Sequence, residues 1–501
     1  MPLMSMIVLI CSVDVRAAGV ADAMRDLLES DEWGSLAVAG ERLHAADTIA
    51  AFYGARAYEP VWSAEPGRLR ELLTQLAGAE SHGLRPPDYH FDWLSGRVAA
   101  STGDDAAAAE LEAVASDAFL LYALHLGRGK VREERIAGWH IDRPELDLNA
   151  RLLTAASSDP ASALAPLLPR HPGYDRLRQE LVRYQTIAGA GGWPRIGGGP
   201  TLRLGDSGSR VATLRHRLAA TGELVATAES DVFDDATAVA VRAFQSRHGL
   251  DQDGAVGPQT RAALDVAASA RVEQLRVNLE RWRWLEADLG DRYVLVNVAG
   301  FHAGLYDGDR LTLGMRAIVG KPYRRTPIFS DEIRYLVFSP YWNIPSSIAR
   351  QEIRPKGRRY MERNHIEVVS GGRLRQRPGP GNALGRVKFM FPNRFNVYLH
   401  DTPARELFDR TSRSFSHGCI RLEKPLELAR FLLDGQGWTR EEIEQATDRS
   451  TPKTVPLERR VPVHILYWTA WVDEGGTLQF RRDIYDRDRA VTRALRHNPP
   501  R

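Results

Sequence analysis

The sequence predicts a multidomain α+β protein, with two helical domains followed by a mainly β domain. The chain has 501 residues, which at about 150 residues per domain corresponds to roughly three folded units. Apolar residues recur at helical spacing in the first half and alternate with polar residues in the last third. Glycine and proline break both patterns between Gly189 and Pro200, which predicts a linker.

The charge balance disfavours nucleic acid as a partner. Lys and Arg number 67 against 64 Asp and Glu, a net charge of +3, whereas nucleic-acid binding through counterion release favours strongly basic surfaces. No stretch reaches the roughly 20 consecutive apolar residues of a membrane-spanning helix. We therefore expect neither nucleic-acid binding nor a transmembrane helix.

An export signal is predicted at residues 1–17. Leu3 to Val13 form an apolar run, and Val15 and Ala17 are small residues at the two positions that a signal peptidase reads. The segment lacks the usual positive charge, because Met1 to Ser5 contain no Lys or Arg. Removal of the signal would also remove Cys11. Lipid attachment at Cys11 is less favoured, because a bulky Ile10 precedes it.

The first domain, residues 20–190, is predicted to be helical. Its apolar residues keep helical spacing most clearly in one segment: Leu111, Val114, Ala118, Leu121 and Leu124. Three tryptophans, Trp62, Trp93 and Trp139, are interpreted as core residues, because large aromatic side chains dominate buried area.

A three-helix module is predicted at residues 201–265. Val211, Leu214 and Leu218 mark one helix face, and Val241 and Phe244 begin another. Pro258 suits the first position of a third helix. The order F-Q, G-L, D-G, G-P-x-T resembles the small helical peptidoglycan-binding domain of bacterial wall enzymes.

A connecting helix is predicted within residues 271–291, with Leu275, Leu279 and Trp282 on its apolar face. The β domain follows at 292–473. Its predicted strands lie in RYVLVNV, MRAIVG, IRYLVFS and FNVYLH, and VPVHILYWTAWV closes it. Gly371 to Gly385 is expected to have no regular structure and to form a lid. A helix is predicted at Pro425 to Leu433, and residues 481–501 are predicted to be an exposed tail with at most one short helix.

The chemistry is predicted at the string Ser416-His417-Gly418-Cys419-Ile420-Arg421-Leu422. A thiol with one adjacent histidine and a second, His400, at the end of a predicted strand has the composition of a cysteine nucleophile with its base. Gly418 allows a turn that points the amides of Gly418 and Cys419 at a developing oxyanion.

Two alternatives remain at this point. Cys419 could be an inert buried thiol, which is a common fate of cysteine. His400, His417 and Cys419 could instead bind zinc, although the spacing differs from that of zinc fingers and a catalytic zinc site uses three ligands and a water. The S-H-G-C string favours the nucleophile, and neither a metal nor another cofactor is expected.

The string also carries a family resemblance. A histidine, 15 intervening residues and then S-H-G-C-I-R resemble the catalytic signature of the L,D-transpeptidases, the YkuD-domain cysteine enzymes of the bacterial cell wall. ERWRWLEADLGDRYVLVNV, VGKPYRRTPIFSD, YWNIPSSIARQEI and YLHDTP resemble the larger periplasmic branch, the YcbB type. That resemblance implies a helical scaffold domain, a peptidoglycan-binding domain and a mainly β YkuD-like catalytic domain with a capping insertion, about 346–385.

The resemblance also implies roles for individual residues. Cys419 would be the nucleophile and His400 its base. Ser416, His417 and Gly418 would shape the nucleophile loop, and Arg421, Trp342 and Tyr398 would contact the substrate, Arg421 alternatively bracing the loop. Asp401 stands where shorter relatives usually have glycine, which leaves open whether a backbone carbonyl or a side chain orients His400.

The capping insertion carries a basic cluster that has two readings. Its cations could attract the carboxylates of peptide stems or could form a solvated helix face. The cluster comprises Arg350, Arg354, Lys356, Arg358 and Arg359.

The implied function is formation of 3→3 cross-links in peptidoglycan, through a Cys419 thioester, in the periplasm. The implied partners are a donor tetrapeptide stem and an acceptor stem, with other wall synthases as further candidates. An L,D-carboxypeptidase could use the same residues, and a catalytically inactive wall-binding scaffold is a further alternative. A papain-like protease is disfavoured, because it would carry its cysteine upstream of its histidine.

Overall fold

A computed structural model describes residues 18–30, 37–100, 104–132, 136, 138–141, 143, 145–225 and 230–497. The predicted export signal and Cys11 lie outside these ranges. The predicted fold class is confirmed: helical units precede a large mixed sheet. Within the described ranges, no helix is both long and apolar enough to cross a lipid bilayer.

The first domain is helical apart from a short hairpin, β1 (Ala37–Val38) and β2 (Glu41–Arg42). Its helices are α1 (18–28), α2 (Ala46–Gly54), α3 (Pro66–Ala77), α4 (Phe91–Ala100), α5 (Asp105–Arg128), α6 (Leu148–Ser157), α7 (Pro160–Leu164) and α8 (Pro172–Gly189). 3₁₀ turns lie at Gly78–His82, Pro86–Tyr89 and Ala165–Leu167.

Helix α5 runs through the centre of the first domain. Val114, Ala118 and Leu121 are buried as the spacing predicts, and Leu111 packs against the same core. Trp62 and Trp139 are buried, and Trp93 packs at the edge of the core. Burial extends around most of α5, so the helix is a core element with neighbours on several sides.

The three-helix module contains α9 (Ser209–Ala220), α10 (Asp235–Arg247) and α11 (Pro258–Leu264), with Pro258 in the first turn of α11. The glycine-rich linker before it, Gly189 to Pro200, is packed against the protein rather than extended away from it. Trp193 is buried, donates from Nε1 to the Val266 carbonyl at 3.0 Å, and lies under the Arg217 guanidinium. The linker therefore packs onto the module.

Helix α12 (Ala268–Trp282) joins the helical units to the β domain. Its predicted apolar residues are buried, and so are several charged ones. Glu280 Oε1 accepts hydrogen bonds from the Val131 amide at 2.7 Å and from Trp284 Nε1 at 3.0 Å, and Oε2 pairs with Arg283 at 2.6 Å. This network fixes α12 to the first domain.

The β domain is built on one sheet that closes on itself. Its strands are β3 (Arg292–Asn297), β4 (His302–Asp307), β5 (Arg310–Gly320), β6 (Phe329–Phe338), β10 (Val387–Met390), β11 (Leu399–His400), β12 (Ser414–Ser416), β13 (Ile420–Leu422) and β14 (Lys453–Leu466). The order is β12-β5-β13-β11-β10-β6-β14-β3-β4, and β4 also pairs with β5. Helices α15 (Pro425–Leu432) and α16 (Arg440–Thr447) follow the nucleophile string, and a 3₁₀ turn lies at Arg405–Asp409.

The capping insertion is more regular than predicted. Strands β7 (Trp342–Ile344), β8 (Ile366–Val369) and β9 (Arg373–Gln376) form an antiparallel sheet in the order β7-β9-β8. Its helical segments are α13 (Ser346–Ile348), a π turn Ala349–Ile353, 3₁₀ turns Arg354–Lys356 and Ser370–Gly372, and α14 (Arg358–Arg363). The prediction of no regular structure was wrong for 373–376, because β7 and β8 supply strand partners and Leu374 is buried in a separate small core.

The one short helix that the sequence allowed in the C-terminal segment is present, but the prediction that this segment is exposed was wrong. Strands β15 (Ala470–Val472) and β16 (Leu478–Phe480) pair, and α17 (Asp488–Arg496) follows. Val491 and Leu495 are buried on one face of α17, and the Leu495 carbonyl accepts a hydrogen bond from Lys130 at 3.0 Å. Apolar burial and this contact with the first domain hold the segment in place.

Candidate active site

Five polar side chains share one face of the sheet where three neighbouring strands meet. Lys388 of β10 pairs with His400 of β11, and His400 pairs with Arg421 of β13. Paired residues in a sheet project to the same face, and so do residues two apart on one strand. Tyr398 and Cys419 come just before β11 and β13, and contacts place them at the same site: the Tyr398 ring centroid lies 5.6 Å from that of His400 and 5.6 Å from the Lys388 ammonium, and the Cys419 thiol contacts Tyr398.

The Cys419 thiol lies beside Tyr398. The thiol donates a hydrogen bond from Sγ to the Asn396 carbonyl at 3.7 Å, and hydrogen bonding from Tyr398, through its backbone and its hydroxyl, lowers the thiol's pKa. Burial raises the thiol's pKa above its ordinary value, and this effect exceeds the lowering by Tyr398, Arg421 and Lys388. The resting group is therefore the thiol, and the charged groups around it favour its conversion to thiolate.

His400 is buried and uncharged at neutral pH. Nδ1 donates a hydrogen bond to the backbone carbonyl of Asp401 at 2.5 Å, which leaves Nε2 as the unprotonated nitrogen of the neutral ring. Burial, followed by the positive charge of Arg421, lowers its pKa to about 3. The neutral ring can therefore accept a proton, although hydrogen bonds to the backbone at Asp401 and Leu384 offset only part of the lowering of its pKa.

The alternative that the sequence left open at Asp401 is resolved in favour of the carbonyl. The Asp401 side chain is engaged elsewhere: it accepts a hydrogen bond from the Arg386 amide at 2.8 Å and pairs with Arg405 at 3.2 Å. The carboxylate therefore organises the neighbouring loop, and the backbone orients the imidazole.

Tyr398 lies between the two groups of the expected catalytic pair. Its ring centroid is 5.6 Å from that of His400, while its hydroxyl contacts the sulfur. In the described part of the chain, no hydrogen bond joins His400 directly to Cys419.

The nucleophile loop is held by its own serine. Ser416 Oγ donates to the Cys419 carbonyl at 2.5 Å and accepts from the Gly418 amide at 3.1 Å. Gly418 has a φ of +118°, which favours glycine. The expectation that the Gly418 amide faces an oxyanion was therefore wrong, because Ser416 already uses it. The Cys419 amide remains available for that role.

The loop between β5 and β6, which contains Thr326, supports the nucleophile loop through side-chain hydrogen bonds. Thr326 Oγ1 donates to the Gly418 carbonyl at 2.9 Å and accepts from the Gly320 amide at 3.0 Å. Tyr485, from the segment that follows β16, donates to the Gly320 carbonyl at 2.6 Å. The C-terminal segment thus reaches the support of the active site, a role that the sequence did not indicate.

His417 connects the nucleophile loop to the capping insertion. Its Nε2 donates to Glu352 Oε1 at 2.6 Å, and both side chains are partly exposed. Sequence reasoning missed Glu352 because the contact crosses between two distant segments. It also missed Lys388, whose place as the one cation in the apolar string Val387-Lys388-Phe389 was the available signal.

The remaining sequence candidates lie in two places. Arg421 is at the site, where its Nε is buried without a hydrogen-bond partner. Among the described residues, its side chain makes no hydrogen bond that would brace the nucleophile loop. Trp342 lies in β7, packed against the small core of the capping insertion. The basic cluster is exposed, with Arg358 paired to Glu362 at 2.8 Å and Arg354 bonded to the Gly372 carbonyl at 2.6 Å, as in a solvated face.

The described residues contain no group of three or more His, Cys, Asp and Glu side chains arranged to hold a metal ion. His417 and His400, two of the residues considered for zinc, contact Glu352 and the Asp401 carbonyl. The arrangement suits nucleophilic catalysis by a thiol with an imidazole as its base.

Comparison with protein-family models identifies three matches along the chain. Residues 47–181 match "Scaffold domain", 207–264 match "Putative peptidoglycan binding domain", and 291–455 match "L,D-transpeptidase catalytic domain". The third match contains Cys419, His400, Tyr398 and Lys388 as well as the capping insertion.

A curated relative is a protein of Haemophilus influenzae named "Putative L,D-transpeptidase". It is 34% identical over 227 residues, which are 40% of this chain and 45% of that protein. The match therefore spans less than half the length of the relative.

Solved structures of L,D-transpeptidases are also similar to parts of the chain. The protein from Stackebrandtia nassauensis is 12% identical, with 55% of this chain and 96% of that chain covered and a TM-score of 0.23. Residues 123–326 of the protein from Xylanimonas cellulosilytica are 16% identical, with 54% of this chain and 98% of that chain covered and a TM-score of 0.18.

Proposed function

We propose that this chain, which combines a scaffold domain, a peptidoglycan-binding domain and an L,D-transpeptidase catalytic domain, forms 3→3 cross-links in peptidoglycan by acyl transfer through Cys419. One observation carries the proposal: the Cys419 thiol, hydrogen-bonded to Tyr398, shares a sheet face with a neutral His400 whose Nδ1 is fixed by a backbone carbonyl.

In the first half-reaction, Cys419 Sγ attacks the carbonyl carbon of the third residue of a tetrapeptide stem. His400 Nε2 accepts the thiol proton, and the Cys419 amide donates to the oxyanion. The amide C–N bond then breaks, and the proton passes to the leaving amine of the terminal D-residue. A thioester remains on Cys419.

In the second half-reaction, the side-chain amine of another stem attacks the thioester carbonyl. His400 accepts a proton from this amine and returns it to the sulfur as the C–S bond breaks. The new amide links two third residues. No organic cofactor or metal takes part in this scheme.

The other domains fit action on a wall polymer. We propose that the capping insertion, linked to the nucleophile loop through Glu352 and His417, covers the bound stem and keeps water from the thioester. The three-helix module would hold the glycan near the site. Together with the predicted export signal, this substrate implies a periplasmic location.

Incubation with disaccharide-tetrapeptide, followed by mass analysis of products, tests the proposal. We expect D-alanine release together with a 3→3 cross-linked dimer, loss of both in Cys419→Ala, and a strong reduction in His400→Ala. His216→Ala, which alters an exposed histidine on α9, should retain activity. D-alanine release with free tripeptide as the sole product would instead indicate an L,D-carboxypeptidase, and no turnover of a correctly folded protein would favour an inactive wall-binding scaffold.

A further inference from the structure

Two cationic side chains beside the nucleophile have no acidic partner within the described part of the chain. Lys388 and Arg421 are both half-buried. The Lys388 ammonium lies 5.6 Å from the Tyr398 ring centroid, and Arg421 Nε is buried without a hydrogen-bond partner. Most other semi-buried cations of this domain have an acceptor, as Arg316 does with Glu423 and Asp409.

The strand register places these two cations on either side of His400. Lys388 pairs with His400 from β10, and Arg421 pairs with it from β13. Neighbouring strands are about 4.8 Å apart, so the two backbones are separated by about 10 Å, within reach of two long side chains that converge on one group.

A cation that is partly removed from water is costly unless an anion or a set of acceptors compensates it. The adjacent groups do not supply that anion: His400 is neutral, the Cys419 thiol is protonated at rest, and Tyr398 is a phenol. A ligand anion would therefore complete the electrostatics of this part of the site.

We infer that Lys388 and Arg421 form an anion subsite that binds the free carboxylate of the residue immediately after the scissile amide. The inference rests on the proposed function and adds the residues that would recognise the C-terminal carboxylate of the donor peptide. Arg421 lies in β13, two residues after Cys419, so the chain separates the two residues by at most about 7 Å. One amino acid beyond the attacked carbonyl spans about 3.8 Å, and the arginine side chain covers the rest.

This subsite would make the enzyme selective for donors that end one residue after the attacked carbonyl. A longer peptide would place an uncharged amide between the two cations, and a C-terminal carboxamide would do the same. When the C–N bond breaks, the departing amino acid leaves with its carboxylate, and the pair of cations is free for the next donor.

Steady-state kinetics with two matched donors test the inference: a tetrapeptide stem with a free terminal carboxylate and the same stem as its carboxamide. We expect the wild-type protein to prefer the acid by about 10- to 100-fold in kcat/KM, the range of a charge-assisted hydrogen bond. Arg421→Met and Lys388→Met should each reduce that preference, mainly through KM for the acid, and Arg421→Lys should restore part of it. Arg440→Met, at an exposed position on α16, is the matched control.

Equal use of both donors by the wild-type protein, or an equal loss with both donors in the variants, would overturn the inference. The second result would mean that the cations act only on the thiol. Labelling of Cys419 by a neutral alkylating agent and thermal unfolding of each variant show whether the nucleophile and the fold are intact. Absence of turnover with either donor in a folded, alkylatable wild-type protein would instead contradict the proposed function.

Discussion

At the scale of single residues, the nucleophile and its base both begin uncharged. Burial raises the pKa of Cys419, and burial together with Arg421 lowers the pKa of His400 to about 3. Both shifts disfavour a preformed thiolate–imidazolium pair at neutral pH, and in the proposed mechanism the proton would leave the sulfur as the substrate is attacked. In the proposed complex, the carboxylate of the bound donor would compensate the positive charges of Lys388 and Arg421.

The pH dependence of thiol alkylation follows from these shifts. We expect the rate of Cys419 labelling by iodoacetamide to rise with a midpoint above that of a free cysteine measured under the same conditions, because burial raises the thiol's pKa. After the hydrogen bonds from Tyr398, Arg421 also stabilises the thiolate and so lowers the pKa, which means that Arg421→Met should move the midpoint upward. Labelling reactions stopped at fixed times across about pH 6 to 10, which spans the usual range of cysteine pKa values, and analysed by mass spectrometry measure the midpoints of the wild-type protein and of Arg421→Met.

The exposed variant Arg440→Met should leave that midpoint unchanged. A wild-type midpoint well below neutral pH would show that Cys419 rests as a thiolate, contrary to the geometry described above. An unchanged midpoint in Arg421→Met would mean that the guanidinium does not act on the sulfur.

The sequence pointed to Cys419 and His400 as a candidate nucleophile and base because their chemistry is local: a thiol, an adjacent glycine and a histidine at a strand end. It could not identify Lys388, since only the strand register brings that residue beside His400. It also assigned the Gly418 amide to the oxyanion, because the competing hydroxyl of Ser416 acts through a turn geometry that residue types alone do not reveal.

At the scale of elements, one side-chain hydrogen bond, from His417 to Glu352, links the nucleophile loop to the capping insertion among the described residues. Glu352→Gln should weaken the hydrogen bond to His417. Because the pair is partly exposed, the loss of global stability should stay below about 1 kcal/mol, while hydrogen exchange in residues 346–376 should increase. Hydrogen-exchange mass spectrometry and a urea titration together check this expectation.

Glu362→Gln provides the matched control, since Glu362 pairs with Arg358 at the surface of the same insertion. Faster exchange in the Glu352 variant alone would support the link. Equal exchange in both variants, or no change in either, would mean that the insertion is held by its other contacts.

The elements that the sequence missed are those that depend on partners. Strand β9 has one buried apolar residue, Leu374, so its period-two pattern is too short to be recognised without β7 and β8. Helix α17 has Val491 and Leu495 four residues apart among many arginines. Those arginines suggested exposure, although Arg487 just before the helix is buried.

At the scale of the whole molecule, α12 connects the first domain to the β domain through buried charges. Glu280→Gln removes the charge that compensates Arg283 and weakens the acceptor for the Val131 amide. We expect a loss of about 3 kcal/mol in the free energy of unfolding, because an uncompensated buried charge remains. Chemical denaturation followed by tryptophan fluorescence measures the loss.

Glu273→Gln tests the specificity of that effect on the same helix. Glu273 pairs with Arg276 and Arg496 near the surface, so its replacement should cost less than about 1 kcal/mol. Similar losses in the two variants would contradict the assignment of Glu280 as the group that fixes α12 to the first domain.

The sequence predicted the order of the units and their classes because glycine, proline and hydrophobic periodicity change at their boundaries. It could not predict how they pack. The burial of Glu280 and Arg283 and the reach of Tyr485 to the support of the nucleophile loop depend on tertiary contacts between segments far apart in the chain.

The most direct test of the central claim is the intact mass of the protein after incubation with a carbapenem, measured alongside Cys419→Ala and His400→Ala. The account predicts one covalent adduct on the parent protein, none on Cys419→Ala, and slower formation on His400→Ala. An adduct that persists in Cys419→Ala, or a parent protein that stays unmodified while its thiol reacts with a small alkylating agent, would contradict the claim that Cys419 is an activated acyl-transfer nucleophile.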